Sequence, residues 1–328
     1  MKERIAALCC ACLLGACSHS AITPGATDLG TPGNWVRGGD AGQVSPDWLD
    51  SFADPTLAGL VDEAIAGNYS LAQEQARLYE AAQAVTIARA DRFPSLDLSL
   101  GAARRGIRGS SGERLTIESY DADVGAFWDA DLWGRLSKEQ QAARLIFAAQ
   151  EARVESARRD LAAQTANGYF RAIAAKQLLE VARRRLDNVT ESHDIVASGY
   201  RQGLNDALDL YLARNQLERE RASLAQQEQA VAEAVADLQL ALARYPDGRM
   251  ELASSLPVLP GTIPVGLPSE LLTRRTDLQE AWLNLLAADA RLAATHKARF
   301  PSLSLVGSAG VTSADLSDLL DFDLSVWS

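Results

Sequence analysis

Arg92-Phe93-Pro94-Ser95-Leu96-Asp97-Leu98-Ser99-Leu100 passes from one kind of structure to another within nine residues. Upstream, Leu57 to Arg92 is alanine-rich with helical spacing, and Pro94 ends the pattern because proline has no N–H to continue a helix. Downstream, Leu96, Leu98 and Leu100 alternate with Ser95, Asp97 and Ser99, the period of a strand with one apolar face. Residues 101–118 hold Gly, Ser and Arg and read as an exposed loop. Tyr120, Ala122, Val124, Ala126 and Trp128 then alternate with Asp121, Asp123, Gly125 and Phe127. A β-hairpin is therefore expected over about 93–130. The same passage recurs: Arg299-Phe300-Pro301-Ser302-Leu303 repeats Arg92 to Leu96 at an offset of 207, and Leu278 repeats Leu71. A duplicated unit is implied, with a second helix over about 269–299 and a strand from 300. This second copy reaches Ser328 before any helical hairpin, so an incomplete second repeat is expected.

Between the copies the chain reads as two long helices. From Lys138 to Ser198 there is no proline and a single glycine, Gly168. At 1.5 Å per residue this predicts a rod of roughly 90 Å. Its seam runs through Leu161, Thr165, Gly168, Ala172, Ala175, Leu179, Ala182, Leu186, Val189, His193 and Val196, with the alternating steps of a coiled coil. The chain turns at Ser198 to Leu204. A second helix follows from about Asp206 to Arg244, with Leu210, Leu217, Leu224, Val231 and Leu238 each seven apart. The pair forms a helical hairpin over about 136–245. Pro246, Pro257, Pro260, Pro264 and Pro268 then make a linker packed beside the rods. The division that follows is a first repeat over 57–256, then a linker and the start of a second over 257–328.

The N-terminus sets the compartment. Lys2 and Arg4, an apolar run from Ile5 to Ala16 and then Cys17 read as a signal peptide over 1–16, too short to span a bilayer. Leu14-Gly15-Ala16-Cys17 resembles a bacterial lipobox, which makes Cys17 the lipidated residue, and Ser18 after it favours the outer membrane. Residues 17–56 follow as a lipidated tether with little secondary structure. All four cysteines lie in the first 17 residues, so an exported chain would be held by packing and not by disulfides. No Cys/His cluster is spaced to hold a metal, and no cofactor is expected. The charge of −11 argues against nucleic acid as a partner. No stretch after the signal reaches 18 apolar residues, which leaves a β-barrel open as the route through a membrane.

Trp128-Asp129-Ala130-Asp131-Leu132-Trp133-Gly134-Arg135 resembles the strand-to-helix signature of TolC-like outer-membrane efflux factors, in particular their NodT-type lipoprotein branch. Gly266-Leu267-Pro268-Ser269-Glu270-Leu271-Leu272-Thr273-Arg274-Arg275-Thr276-Asp277-Leu278 is similar to another motif of that branch, with Thr276 where proline is usual and Leu278 where isoleucine is. Ala298 to Leu305 is a third match. The resemblance implies a mainly α chain with a small β part, its long antiparallel helical hairpin forming a segment of an α-barrel. Its strands would join those of two further copies in one transmembrane β-barrel. It also implies a homotrimer when full length, a periplasmic adaptor and an inner-membrane pump of the tripartite RND type. Such a subunit is lipid-anchored in the outer membrane, extends into the periplasm and conducts cargo passively, with no catalytic residues.

That frame gives the site residues their expected roles. Leu96, Leu98, Leu100, Leu303 and Leu305 face lipid, and Ser95, Asp97, Ser99, Ser302 and Ser304 face water. Trp128 and Trp133 suit an interfacial aromatic belt. Gly203-Leu204 with Asp209 resembles the family's hairpin tip, which meets the adaptor; a plain turn at Gly203 and a helix cap at Asp206 account for much of the same pattern. His193 reads as a seam spacer, Asp121 and Asp123 as lumen-facing carboxylates, and Arg183-Arg184-Arg185 as a solvated helix face. A periplasmic adaptor would need lipoyl-like half-motifs beside its hairpin. A purely structural coiled-coil lipoprotein would have no use for two Phe-Pro-Ser-Leu strand starts.

Overall fold

The computed structural model describes residues 48–108, 112–258, 270, 274–321 and 325–328. The signal peptide, Cys17, the tether as far as residue 47 and most of Gly266 to Thr273 lie outside the described residues. A 3-10 turn at Trp48–Phe52 leads into α1 (Pro55–Gly67) and α2 (Tyr69–Ala90). The hairpin strands β1 (Ser95–Arg108) and β2 (Arg114–Ala130) follow, then α3 (Arg135–Arg201) and α4 (Ala207–Ala241). After the linker come α5 (Thr276–Lys297), β3 (Leu303–Ser313), a second 3-10 turn and the short β4 (Val326–Trp327). Residue contacts divide the chain into two compact units. Of the described residues, one holds Leu78–Glu151 and Leu278–Ser328; the other holds 48–77 together with Ala152–Asp277.

Helix α3 is 67 residues long, and its part from Ala152 onward lies in the second unit, where it turns back into α4. The expected seam packs in part: Leu161, Thr165, Ala172, Leu179 and Ala182 are buried, as are Leu217 and Leu238 of α4. Leu186, Val189, His193 and Val196 are only half-buried, and the fully buried Tyr169 and Ile173 lie off the seam. Gly168 faces Leu238 of α4, and a Cβ there would meet Leu238 Cδ1 at 3.4 Å, an ordinary contact. Arg185 does more than sit on a solvated face. It pairs at 3.1 Å with Glu220 of α4, whose carboxylate is nearly buried and also accepts from Gln216 at 2.8 Å. The described part of the linker, 246–258, packs on α3: Lys176 and Gln177 donate to the carbonyls of Leu252 and Ser254.

Three stretches differ from the reading of the sequence. The helix expected over 57–92 is two helices. Asn68 takes an extended conformation between them, accepts from the N–H groups of Ser70 and Leu71, and donates through Nδ2 to Ala241 O at 3.1 Å. The side chain thus replaces the backbone bonds lost at the break. The end of the expected tether is ordered. Asp54 caps α1 through the N–H groups of Thr56 and Leu57 and also accepts from the fully buried Tyr169 hydroxyl at 3.1 Å. Burial, and then the Asp54 carboxylate, push the Tyr169 phenol above its ordinary value. Finally, much of the expected loop at 101–118 is strand. β1 and β2 pair without a break from Ser95↔Phe127 to Arg108↔Arg114, stitched by an Arg104–Glu118 pair at 3.1 Å. Cross-strand pairing decides here, and glycine and arginine composition does not.

The repeat is written into the element boundaries. Helices α2 and α5 begin and end 207 residues apart, at Tyr69 and Thr276 and at Ala90 and Lys297. The strands that follow, β1 and β3, start at Ser95 and Leu303.

Candidate functional site

In the first unit the sheet runs β1-β2-β3-β4, antiparallel throughout. Directly paired residues share a face, so the register sorts every side chain. One face carries Leu96, Leu98 and Leu100 of β1, opposite Ala126, Val124 and Ala122 of β2. On β3 the same face continues through Leu303, Leu305, Gly307, Ala309 and Val311. All five leucines singled out in the sequence therefore lie on one surface, each at least half exposed. The other face carries Ser95, Asp97, Ser99, Asp121, Asp123 and Asp129, with Ser304, Ser308 and Thr312 from β3. Phe127 and Val306, paired with each other, are apolar members of this face, and further along the ribbon it also carries Ile107, Leu115 and Ile117. Asp121 and Asp123 belong to this polar wall, with Thr312 opposite Asp121 and Ser99 opposite Asp123.

Aromatic residues bracket the apolar face. Trp128 stands near its helix end and Tyr120 at the other, eight residues apart along β2. At about 3.4 Å per residue and a tilt of 35–45°, that separation is roughly 20 Å across a bilayer, close to the apolar band of an outer-membrane barrel. Beyond Tyr120 the same face changes character, to Arg104 opposite Glu118 and Arg108 opposite Arg114.

Where β2 passes into α3, the signature motif makes a joint. Trp128 donates its indole N–H to Arg92 O at 3.1 Å. Asp129 holds Arg135 at 2.8 Å, and Arg135 also reaches Glu139 at 3.0 Å. Asp131 caps α3, accepting from Leu136 N, Ser137 N and Ser137 Oγ at 3.0, 2.8 and 2.6 Å. Burial alone would raise its carboxyl. The bonds from Ser137 and Leu136, with Arg92 nearby, outweigh that and hold it below the ordinary value. Gly134 adopts a left-handed φ of 75°, where glycine is at no steric cost. Trp133 stacks on Phe300 with centroids 5.0 Å apart, donates to Pro301 O at 2.8 Å, and its own carbonyl accepts from Lys297 at 2.6 Å. Trp133 thus locks the first repeat to the Phe-Pro of the second. The sequence placed it in an aromatic belt; its contact with residues 167 and 168 positions away carries no periodic signal.

At the α3–α4 turn, Gly203 has φ 75° and Leu204 N closes onto Gly199 O at 2.8 Å. Asp206 and Asp209 form a reciprocal capping box: Asp209 N donates to Asp206 Oδ1 at 2.9 Å, and Asp206 N to Asp209 Oδ2 at 3.4 Å. Around them Tyr200, Leu204, Leu208, Tyr211 and Leu212 are exposed. His193, further back on the seam, lies 3.1 Å from Asp194.

A sequence profile described as outer membrane efflux protein matches residues 60–244. The chain is 32% identical over 282 residues to a probable outer membrane lipoprotein, SilC, of Salmonella typhimurium, covering 85% of this chain and 60% of that protein. It is 30% identical over 283 residues to the cation efflux system protein CusC of Escherichia coli O6:H1, covering 85% and 61%. Its structure superposes on the outer-membrane channel OprN with a TM-score of 0.80 at 25% identity, over 95% of this chain and 71% of that one. The chain thus spans about 60% of the length of these curated relatives.

Proposed function

The chain belongs to the outer membrane efflux protein family, and from that premise we propose that it is a subunit of an outer-membrane channel conducting small molecules passively from periplasm to exterior. The two-faced sheet carries this reading. Its leucine face is exposed where a soluble protein would bury it, and the opposite face is acidic and wettable. Among the described residues no helix is long and apolar enough to cross a membrane. Four strands cannot close a barrel. The family resemblance implies a homotrimer, and three copies sharing strands in one barrel would leave no edge unsatisfied in lipid. Exposed Leu178, Val181 and Ile195 of α3 and Leu240 of α4 suit helix packing against neighbours in that assembly.

Cargo would enter from an inner-membrane pump through a periplasmic adaptor, with Gly203, Leu204 and Asp209 at the adaptor-facing tip and Cys17 lipidated. Among the described strand residues the polar face carries Asp97, Asp121, Asp123 and Asp129 against a single arginine, Arg105, and this excess of negative charge favours positively charged cargo over anions.

Outer-membrane assembly in cells tests the reading. Leu98→Arg places a charge in lipid and should cost about 2–4 kcal/mol; Ser99→Arg, one residue away, points into water and should assemble. Equal tolerance of the two would refute the channel. At the tip, Leu204→Glu should reduce crosslinking to the adaptor while leaving assembly intact.

A further inference from the structure

The β1–β2 ribbon does not end with its apolar band. Past the Ala102–Tyr120 pair, the face that carries Leu96, Leu98 and Leu100 continues through Arg104 opposite Glu118, Gly106 opposite Thr116, and Arg108 opposite Arg114. The arginine side chains on it stand exposed to solvent. Arg104 spends its Nε on Glu118 at 3.1 Å and remains three-quarters exposed. Among the described residues, no ion pair engages Arg108 or Arg114. Three arginines against one glutamate give this strip a charge of opposite sign to that of the chain as a whole, which carries −11. The strip begins two residues, about 7 Å, beyond the aromatic position. That is the height at which lipid headgroups start, since these add several ångströms to each side of the hydrocarbon core.

We propose that Arg104, Arg108 and Arg114 form a docking surface for the phosphate groups of membrane lipid on the exterior side of the bilayer. The inference rests on the channel reading of the sheet, which turns this face outward. Guanidinium forks match phosphate oxygens in bidentate geometry. Alternation along the strand aims these three at lipid, while Arg105, their neighbour in sequence, lies on the opposite face with Asp121 and Asp123. The strip would fix the depth of the ribbon in the membrane and gather phosphorylated lipid around it.

Native mass spectrometry of the detergent-solubilised chain, titrated with a bisphosphorylated glucosamine lipid, reads the retained lipid directly. Arg108→Gln with Arg114→Gln should weaken retention at least about tenfold. Arg105→Gln should retain as wild type, although it removes the same charge from the same ribbon. Inorganic phosphate in excess should compete only weakly, because the acyl chains lie along the leucine face. The proposal is overturned if the double variant binds as wild type, if Arg105→Gln loses as much, or if free phosphate displaces the lipid outright. Circular dichroism on each variant confirms that the ribbon is folded. Failure of the channel reading registers separately, as equal tolerance of Leu98→Arg and Ser99→Arg.

Discussion

Asp131 sits where a strand becomes a helix and accepts three hydrogen bonds on one carboxylate. Its folded-state carboxyl lies below the ordinary value, so the folded chain releases that proton more readily than the unfolded chain. The stabilisation is therefore complete above the unfolded value of about 3.9 and is lost as pH falls through the lowered one. Asp131→Asn should lower the thermal midpoint in detergent at neutral pH, by the equivalent of about 1–2 kcal/mol. The gap to wild type should narrow toward pH ~3, where both side chains are neutral. A gap that stays constant across the range would mean that the charge is not what matters. Asp209 makes a contrasting case. The sequence offered it a tip role and put the helix cap at Asp206, and the geometry spends the Asp209 carboxylate on the capping box with Asp206. Asp209→Ala should fray the start of α4, seen as faster amide exchange over residues 207–210. A raised leak conductance in the same variant would add a gating role to the cap. These side chains were legible by type in the sequence. The partners of Trp133 were not, because Phe300 and Pro301 come from the other repeat.

At the scale of elements, periodicity found every long segment, because a seam of sevens or an alternation of leucines survives any tertiary context. What it missed were interruptions and continuations. Asn68 breaks a run of alanine-rich sequence without a proline, and only its reach to Ala241 O shows why. The arginines and glycines at 101–118 look like loop because their partners lie across the hairpin and not beside them in sequence. Glycine separates the two cases. Gly310 of β3 stands so close to β2 that a Cβ would meet Ala122 O at 2.6 Å and Asp123 Cα at 3.0 Å. Gly106 in the ribbon has nothing within 4 Å. Gly310→Val should force β2 and β3 apart and cost about 1–3 kcal/mol or more, read as a lower thermal midpoint. Gly106→Val should be neutral or slightly stabilising, since valine favours strands. If both variants melt like wild type, the close approach at Gly310 is not what holds these strands together.

At the scale of the whole molecule, the duplication explains why a lipid-anchored chain would carry a sheet at all. A proposed acyl group on Cys17 can hold a protein at a membrane, but it cannot open a path through one. The repeat supplies what an anchor lacks, a second strand start 208 residues after the first, paired onto the first hairpin from Ala130↔Leu303 to Tyr120↔Ser313. Two attachments of different kind should therefore separate by mutation. Metabolic labelling with palmitate should mark the wild type and fail on Cys17→Ser. The unlabelled variant should nonetheless fractionate with the outer membrane and resist carbonate extraction, because the leucine face remains in lipid. The converse variant, Leu98→Arg with Leu305→Arg, should keep its label and lose carbonate resistance. If Cys17→Ser instead appears in the soluble periplasmic fraction, the acyl chains are the whole attachment. The exposed leucines would then have to be covered by protein, and the channel reading would fall with them.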